Sequence, residues 1–413
     1  MWRVVVAAMM GLAGACGTGF PAAPREGGPR WTELTSEHFT VWTDGDPPRV
    51  WEVVRRMERF RQVMVEAAYP RAPASGRVLA IVLRNDRELR EASNTHEARP
   101  FAVGASPPVW LPTINLSLSS SEQYTVAHEL THVVSSAVIR HQPRWLSEGM
   151  ATYFESMQLN ADMTMVTFGA ESRRYRGDLH MAPISELFGW SGMSPVTEEH
   201  SLYQTAWALF TFLINEHKAE LAHYLWLIDH ASGPSIEARR AQQRAAWDEA
   251  FPSLPVEQLD SELQKWLFYG HHLLLKFYVQ AQDKPVTGRT LSDADAYAIR
   301  AFVFGGPTPV QQARERGELA AALAVDPTNV LARVLKFFQG ERIAVDEARL
   351  ITSAHPDDWR AWWLATMALR NAHGDPSELD RAREQACTLM VRNRALVGAP
   401  QLCPASGTSE SSR

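Results

Sequence analysis

The feature that most constrains this chain is the pentapeptide His128-Glu129-Leu130-Thr131-His132, set among Val126, Ala127 and Val133. Its apolar setting predicts a helix, and on a helix residues four apart project from one face, a turn from each other. Two imidazoles so arranged can grip one metal ion, while Glu129 on the same rim aims a carboxylate at the same point. A catalytic zinc takes three protein donors and keeps one position open, so another element must supply the third. Glu148 fits. It stands on the next predicted helix, within Trp145-Leu146-Ser147-Glu148-Gly149-Met150-Ala151, after a connection holding Gln142 and Pro143. Two helices joined by so short a loop can bring Glu148 to the two histidines.

The segments before the motif alternate strand and helix. Residues 38–43 are β-branched and aromatic with period two and read as a strand, stopped by Asp44-Gly45-Asp46-Pro47-Pro48. Residues 49–68 carry Val50, Val53, Val54, Met57, Phe60, Val63 and Met64 on one helical face. Residues 78–83 form an apolar strand, and Asn85 or Asp86 caps a short helix after it. Residues 101–104 and 114–118 supply further short strands. Ser119-Ser120-Ser121-Glu122 starts the motif helix, expected over 121–140, and a second helix is expected over 144–157. From 201 to 272 the chain reads as mainly helical, including 203–217, 219–230 and 256–269.

Beyond about 285 the composition shifts to Ala, Arg and Leu with helical periodicity, which reads as a separate helical module over 285–401. Within it Asp326-Pro327-Thr328-Asn329 recurs loosely as His355-Pro356-Asp357-Asp358, each followed by a small Ala at matching separation. The pattern resembles degenerate tetratricopeptide-type hairpins, in which Pro punctuates the turn and a small residue lets helices approach. A plain helical bundle is the other reading. The module is also where a protein partner would bind. The last residues, 402–413, are expected to be disordered.

The order His-Glu-x-x-His followed by Glu148 within Ser147-Glu148-Gly149 resembles the gluzincin zinc peptidases, relatives of thermolysin and aminopeptidase N. The specific part of the resemblance runs from about 125 to 153. The fold it implies is α+β, a zincin-like region over 31–280 with a small mixed sheet and active-site helices, followed by the all-α region. It implies Zn2+ held by His128, His132 and Glu148, Glu129 as general base on a zinc-bound water, and hydrolysis of a peptide or protein substrate. Tyr203 occupies the place of a transition-state tyrosine in aminopeptidase-like members; simple aromatic packing is the other reading, and His200 is an alternative donor. Where thermolysin-like relatives carry an acid that orients a ligand histidine, this chain has Thr152, and Glu155 is the available substitute. Peptide is commonly held along a sheet edge, for which residues 109–118 are expected. No Gly-x-Met-x-Asn signature is present, so endopeptidase is favoured over aminopeptidase.

Other zincins take a third histidine six residues after the second, and that place is Val138. His141 comes later, past the expected helix end, and reads as a surface or supporting residue. His180, His217, His223 and His230 read as exposed or core.

Composition narrows the remainder. A net charge of −6, with Lys and Arg scattered, gives no footprint for nucleic acid. With 45% hydrophobic residues and 14 Trp the chain can build a sizeable core, and 413 residues allow two or three units. Residues 1–16 hold a short basic start and an apolar run of signal-peptide length, too short to span a bilayer as a mature helix, so export is expected. Cys16 after small residues is either the lipid-anchor cysteine of a lipoprotein, periplasmic or held at the outer membrane, or incidental to an ordinary secretory signal. Residues 17–30 read as a flexible tether. Cys387 and Cys403 either form a disulfide or stay two thiols. Against the peptidase stands a different class, a non-catalytic envelope scaffold with a retained zincin fold and a partner on its helical repeats.

Overall fold

The structure, a computed structural model, describes residues 21–68, 76–93, 101–103, 105, 109–119, 123–139, 141–170, 180–190, 196–231, 235–279, 286–392 and 403. The signal-like run, Cys16 and the tail from 404 onward lie outside the described residues. Among the described residues no helix is long and apolar enough to cross a membrane.

The architecture is mixed α+β around a six-stranded sheet. Its strands are β1 (Thr32–Thr35), β2 (Phe39–Thr43), β3 (Val78–Leu83), β4 (Phe101–Val103), β5 (Thr113–Ser117) and, from far along the chain, β9 (Thr287–Thr290). They lie in the order β4-β5-β3-β2-β1-β9. β3 is parallel to both β2 and β5, whereas β4, β1 and β9 are antiparallel to their neighbours. Between β2 and β3 runs α1 (Pro47–Val63), ending in a π-helical turn, Met64–Ala68, and between β3 and β4 runs α2 (Asp86–Ser93).

The central strand shows why the sheet is covered on both sides. Val78, Ala80 and Val82 share a core with Val50, Val54 and Met57 of α1 and with Val126 and Leu130 of α3 (Gln123–Val138). The alternate residues Leu79, Ile81 and Leu83 share a second core with Ala298 and Phe304 of α10 (Asp293–Phe304) and Leu319 of α11 (Pro309–Val325). Each such aliphatic side chain contributes on the order of 1.5–3 kcal/mol by leaving water. A strand buried on both faces therefore reads as one apolar run.

After α3 come α4 (Arg144–Phe154), strands β6 (Gln158–Leu159) and β7 (Met165–Phe168), and helices α5 (Ile184–Gly189), α6 (Val196–Glu216), α7 (Lys218–Asp229), α8 (Ile236–Ala250) and α9 (Leu259–Tyr269). β8 (Leu275–Tyr278) then pairs with β7 in a second sheet of order β6-β7-β8. The chain closes with α12 (Val330–Phe338), α13 (Val345–Ala354), α14 (Trp359–Asn371) and α15 (Pro376–Arg392). In this last part the two Pro turns separate α11 from α12 and α13 from α14. Asn329 and Asp358 cap the helices that follow them, and Thr328 Oγ1 lies 3.2 Å from His355 Nε2, so the repeated turns sit side by side.

Four expectations are corrected or sharpened here. Residues 21–30 are not a free tether: Pro24–Glu26 forms a 3-10 turn, Ala23 is buried, and Arg300 donates to the carbonyls of Pro21 at 2.8 Å and Ala22 at 3.2 Å. A buried Glu318 carboxylate at 2.7 Å fixes that guanidinium, and a small Ala23 lets the backbone approach. The stretch from 285 opens with a strand in the main sheet, and its first helices share that sheet's core instead of standing apart. Residues 109–118 are not an edge, because β5 is hydrogen-bonded on both sides and the edge is β4. Cys387 and Cys403 form a disulfide, which ties one residue of the expected loose tail to α15.

Candidate metal centre

α3 carries the first two donors as its spacing requires, and the helix packs under the sheet with His128 and Glu129 buried. The chain turns at Gln142 and Pro143, where Pro143 is the N-cap of α4, and α4 presents Glu148 a turn into the helix. α4 crosses α6 at Gly149, where an added Cβ would lie 2.5 Å from the carbonyl oxygen of Ala206 and 3.1 Å from Phe210 Cβ. A residue with a side chain would push the helices apart, so the glycine lets Glu148 and Tyr203 approach from their two helices.

The three donors converge. His128 Nε2 and His132 Nε2 are 3.2 Å apart, and Glu148 Oε2 lies 3.6 Å from the first and 3.5 Å from the second. Donors about 2.1 Å from a tetrahedral ion are separated by about 3.4 Å, so this triangle is the base of such a site with one corner left open. Glu148 Oε2 is buried and accepts no hydrogen bond. An orphaned carboxylate oxygen facing two imidazole nitrogens is costly unless a cation sits among them. The His128, His132 and Glu148 group could thus hold a metal ion.

The far side of each imidazole is also occupied. His128 Nδ1 lies 2.7 Å from Glu155 Oε1, where Nδ1–H donates to the carboxylate and turns Nε2 toward the donor triangle. His132 Nδ1 is 3.0 Å from Ser147 Oγ, which can accept its proton in the same sense. Thr152 is buried with its Oγ1 unpartnered, so Glu155 takes the orienting place that Thr152 cannot fill.

Electrostatics follow from this packing. Burial disfavours a charged His128, but the facing carboxylates of Glu148 and Glu155 and the charge of Glu129 outweigh it and raise the imidazole to about 10. Burial pushes the Glu148 carboxyl up, yet both histidines override it and hold it well below the usual carboxylate range. Glu129 is raised by burial, with the two histidines opposing and Glu148 and Glu155 adding to the rise. The arrangement is electronegative overall and is built to stabilise positive charge at its centre.

Tyr203, on α6, is half-buried near Glu148, and burial together with the Glu148 charge raises its phenol. The Arg144 guanidinium opposes that rise, and the Tyr203 ring stands edge-on to Trp190 at 5.1 Å. His200 is exposed, with Nε2 3.2 Å from the side-chain nitrogen of Gln204. His141 lies on the turn between α3 and α4, His217 occupies the N-cap position of α7 without a side-chain cap, and His223 and His230 pair with Glu249 and the Trp226 carbonyl. None of these joins the donors.

Sequence reasoning missed Ser147, Arg144, Glu199 and Trp190. Arg144 is fixed by Glu199 Oε1 at 3.1 Å, by the Trp190 ring 4.3 Å below its guanidinium, and by Glu148 Oε1 at 4.0 Å. The available signal was helical spacing: Arg144 precedes Glu148 by one turn and Glu199 precedes Tyr203 by one turn. A cavity of about 950 Å³ bounded by Trp51, Glu58 and Tyr278 lies elsewhere and is lined by none of the donors.

Fold and site together define a mixed α+β protein with a His-His-Glu group suited to a metal ion. Residues 122–232 match a family model described as a protein of unknown function, DUF1570. The matched segment contains every residue of the centre named above, from His128 and Glu129 through Glu148 and Glu155 to Tyr203. No curated protein matches the chain.

Proposed function

We propose that this protein is an exported zinc-dependent peptidase of gluzincin type, acting on peptide or protein substrates. The observation that carries the reading is the donor triangle with an orphaned Glu148 oxygen, beside a buried Glu129 on the same helix turn. Two imidazoles and one carboxylate, with an open fourth position, are the donor set of a catalytic zinc rather than of a closed structural site. When bound there, zinc supplies a Lewis acid that polarises the scissile carbonyl and acidifies water.

The chain's own residues do the rest. Glu129 takes the proton from the attacking water and passes it to the leaving amine. Tyr203, held beside the Arg144 guanidinium, donates its O–H to the developing oxyanion. Glu155 and Ser147 keep the imidazoles turned with Nε2 inward. An extended peptide pairs with the free edge of β4, the strand packed beside α3.

The test is cleavage of a peptide library by metal-loaded protein and by its Glu129→Gln variant. The variant is expected to keep its zinc and lose turnover by several orders of magnitude. Zinc binding with no cleavage by either protein would favour the scaffold instead, and cleavage unaffected by the substitution would remove Glu129 from the mechanism.

A further inference from the structure

The chain between α9 and β8 exposes an apolar surface that the metal centre does not use. Phe268 and Tyr269, at the end of α9, are each 84% exposed, and Tyr278 on β8 is 76% exposed. Between them Leu273, Leu274 and Leu275 are also exposed, so six large apolar side chains meet solvent along one short stretch. A soluble protein seldom leaves such a patch uncovered, since each of these side chains gains free energy by leaving water.

The charge of this stretch differs from the rest of the molecule. Residues 263–279 contain no Asp or Glu in a chain of net charge −6; Lys265 is paired with Glu262 at 2.7 Å, and Lys276, His271 and His272 supply the basic character of the stretch. Aromatic side chains flanking leucines, with lysine and histidine and without carboxylates, suit the boundary of an anionic bilayer. A net-negative protein is repelled by such a surface except where a local stretch of opposite sign meets it. We infer that residues 268–278 are a docking surface for an anionic phospholipid membrane, with Phe268, Tyr269, Leu273 and Leu274 entering the interface and Lys276 and Tyr278, which share one face of β8, at headgroup level.

The surface is linked to the helix of the proposed site. His272 stacks on Trp207 at 5.9 Å, and Trp207 lies one turn beyond Tyr203 on α6. Docking therefore holds α6 next to the membrane. This inference does not depend on the peptidase reading. Covering of the patch by a second copy is the competing arrangement, through the open edge of β8, but Lys276 within that strand is the kind of charge that discourages edge pairing.

The test is flotation of the full chain with vesicles of phosphatidylcholine, with and without phosphatidylglycerol, at low and high salt. Cys16→Ala is built into every protein so that no acyl chain contributes. The protein is expected to bind the anionic vesicles, more weakly at high salt, and a Phe268→Ser, Tyr269→Ser, Leu274→Ser variant to lose about tenfold or more. Lys276→Glu, a change at an exposed position, should lose several-fold on anionic vesicles and little on neutral ones. The N-terminal apolar run is common to all proteins and cannot produce the difference. Equal binding by all variants, or no binding by the parent, overturns the inference. So does a dimer that the triple variant dissociates while no vesicle is bound.

Discussion

Replacing Glu155 isolates what the chain adds to the donors themselves. The carboxylate receives Nδ1–H of His128 at 2.7 Å in a buried setting, and a charge-assisted bond of this kind is worth about 1.5–3 kcal/mol. Part of that energy enters metal binding, because the carboxylate fixes the tautomer and strengthens Nε2 as a donor. Loss of such an orienting partner costs about 10–100-fold in affinity, or about 1.4–2.8 kcal/mol at about 1.4 kcal/mol per decade, a range that overlaps the strength of the bond. Glu155→Gln, which still accepts Nδ1–H without a charge, belongs at the low end, and Glu155→Ala at the high end. Competition of metal-stripped protein with a fluorescent zinc chelator measures this directly. Thr152→Ala is the control and should leave affinity unchanged, since Thr152 Oγ1 has no partner to lose. If Glu155→Ala binds zinc as tightly as the parent, the orienting role is refuted.

Three other outcomes are expected. Tyr203→Phe should lower turnover about 100–1000-fold as the loss of an oxyanion donor; turnover equal to the parent's would leave Tyr203 only its packing against Trp190. Trp110, buried against Trp359 at 5.2 Å and Trp363 at 4.9 Å, ties the loop before β5 to the final helices, so Trp110→Ala should cost about 3–5 kcal/mol in urea unfolding. Asp44 is raised to about 7 by burial, then by the charge and hydrogen bond of Glu88, with Arg84 opposing. Its folded value lies above an unfolded value of about 3.9, so the stability it contributes is full below about pH 4 and is lost as pH climbs toward 7. Thermal melts across that range should show a shallower decline for Asp44→Asn, which keeps the oxygen that accepts from the Arg84 amide.

What could be read from the chain was whatever a local period encodes. The alternation of residues 39–43, the apolar run 78–83 and the spacing of His128 and His132 each fix an element or a face without distant help. α8 (Ile236–Ala250) fell within the stretch read as mainly helical but its bounds escaped, because its Arg, Gln and Ala residues give a weak apolar stripe, although Ser235 caps it. β9 escaped because Thr287–Thr290 is exposed and polar and is a strand only by pairing with β1. The continuous apolar character of Val78–Leu83 did signal burial on both faces, but nothing local tells that α10 to α12 supply the second cover. The site divides in the same way. Glu155 was within reach as the nearest acid to a vacant orienting place, whereas Arg144, Glu199 and Trp190 come together only when α4, α5 and α6 pack.

The central claim is that His128, His132 and Glu148 form one zinc site. It is tested most directly by anomalous diffraction at the zinc absorption edge from crystals of the metal-loaded protein. The account predicts a single strong peak about 2.0–2.2 Å from His128 Nε2, His132 Nε2 and Glu148 Oε2. Absence of a peak there, or zinc bound elsewhere while the three side chains hydrogen-bond to one another, would contradict it.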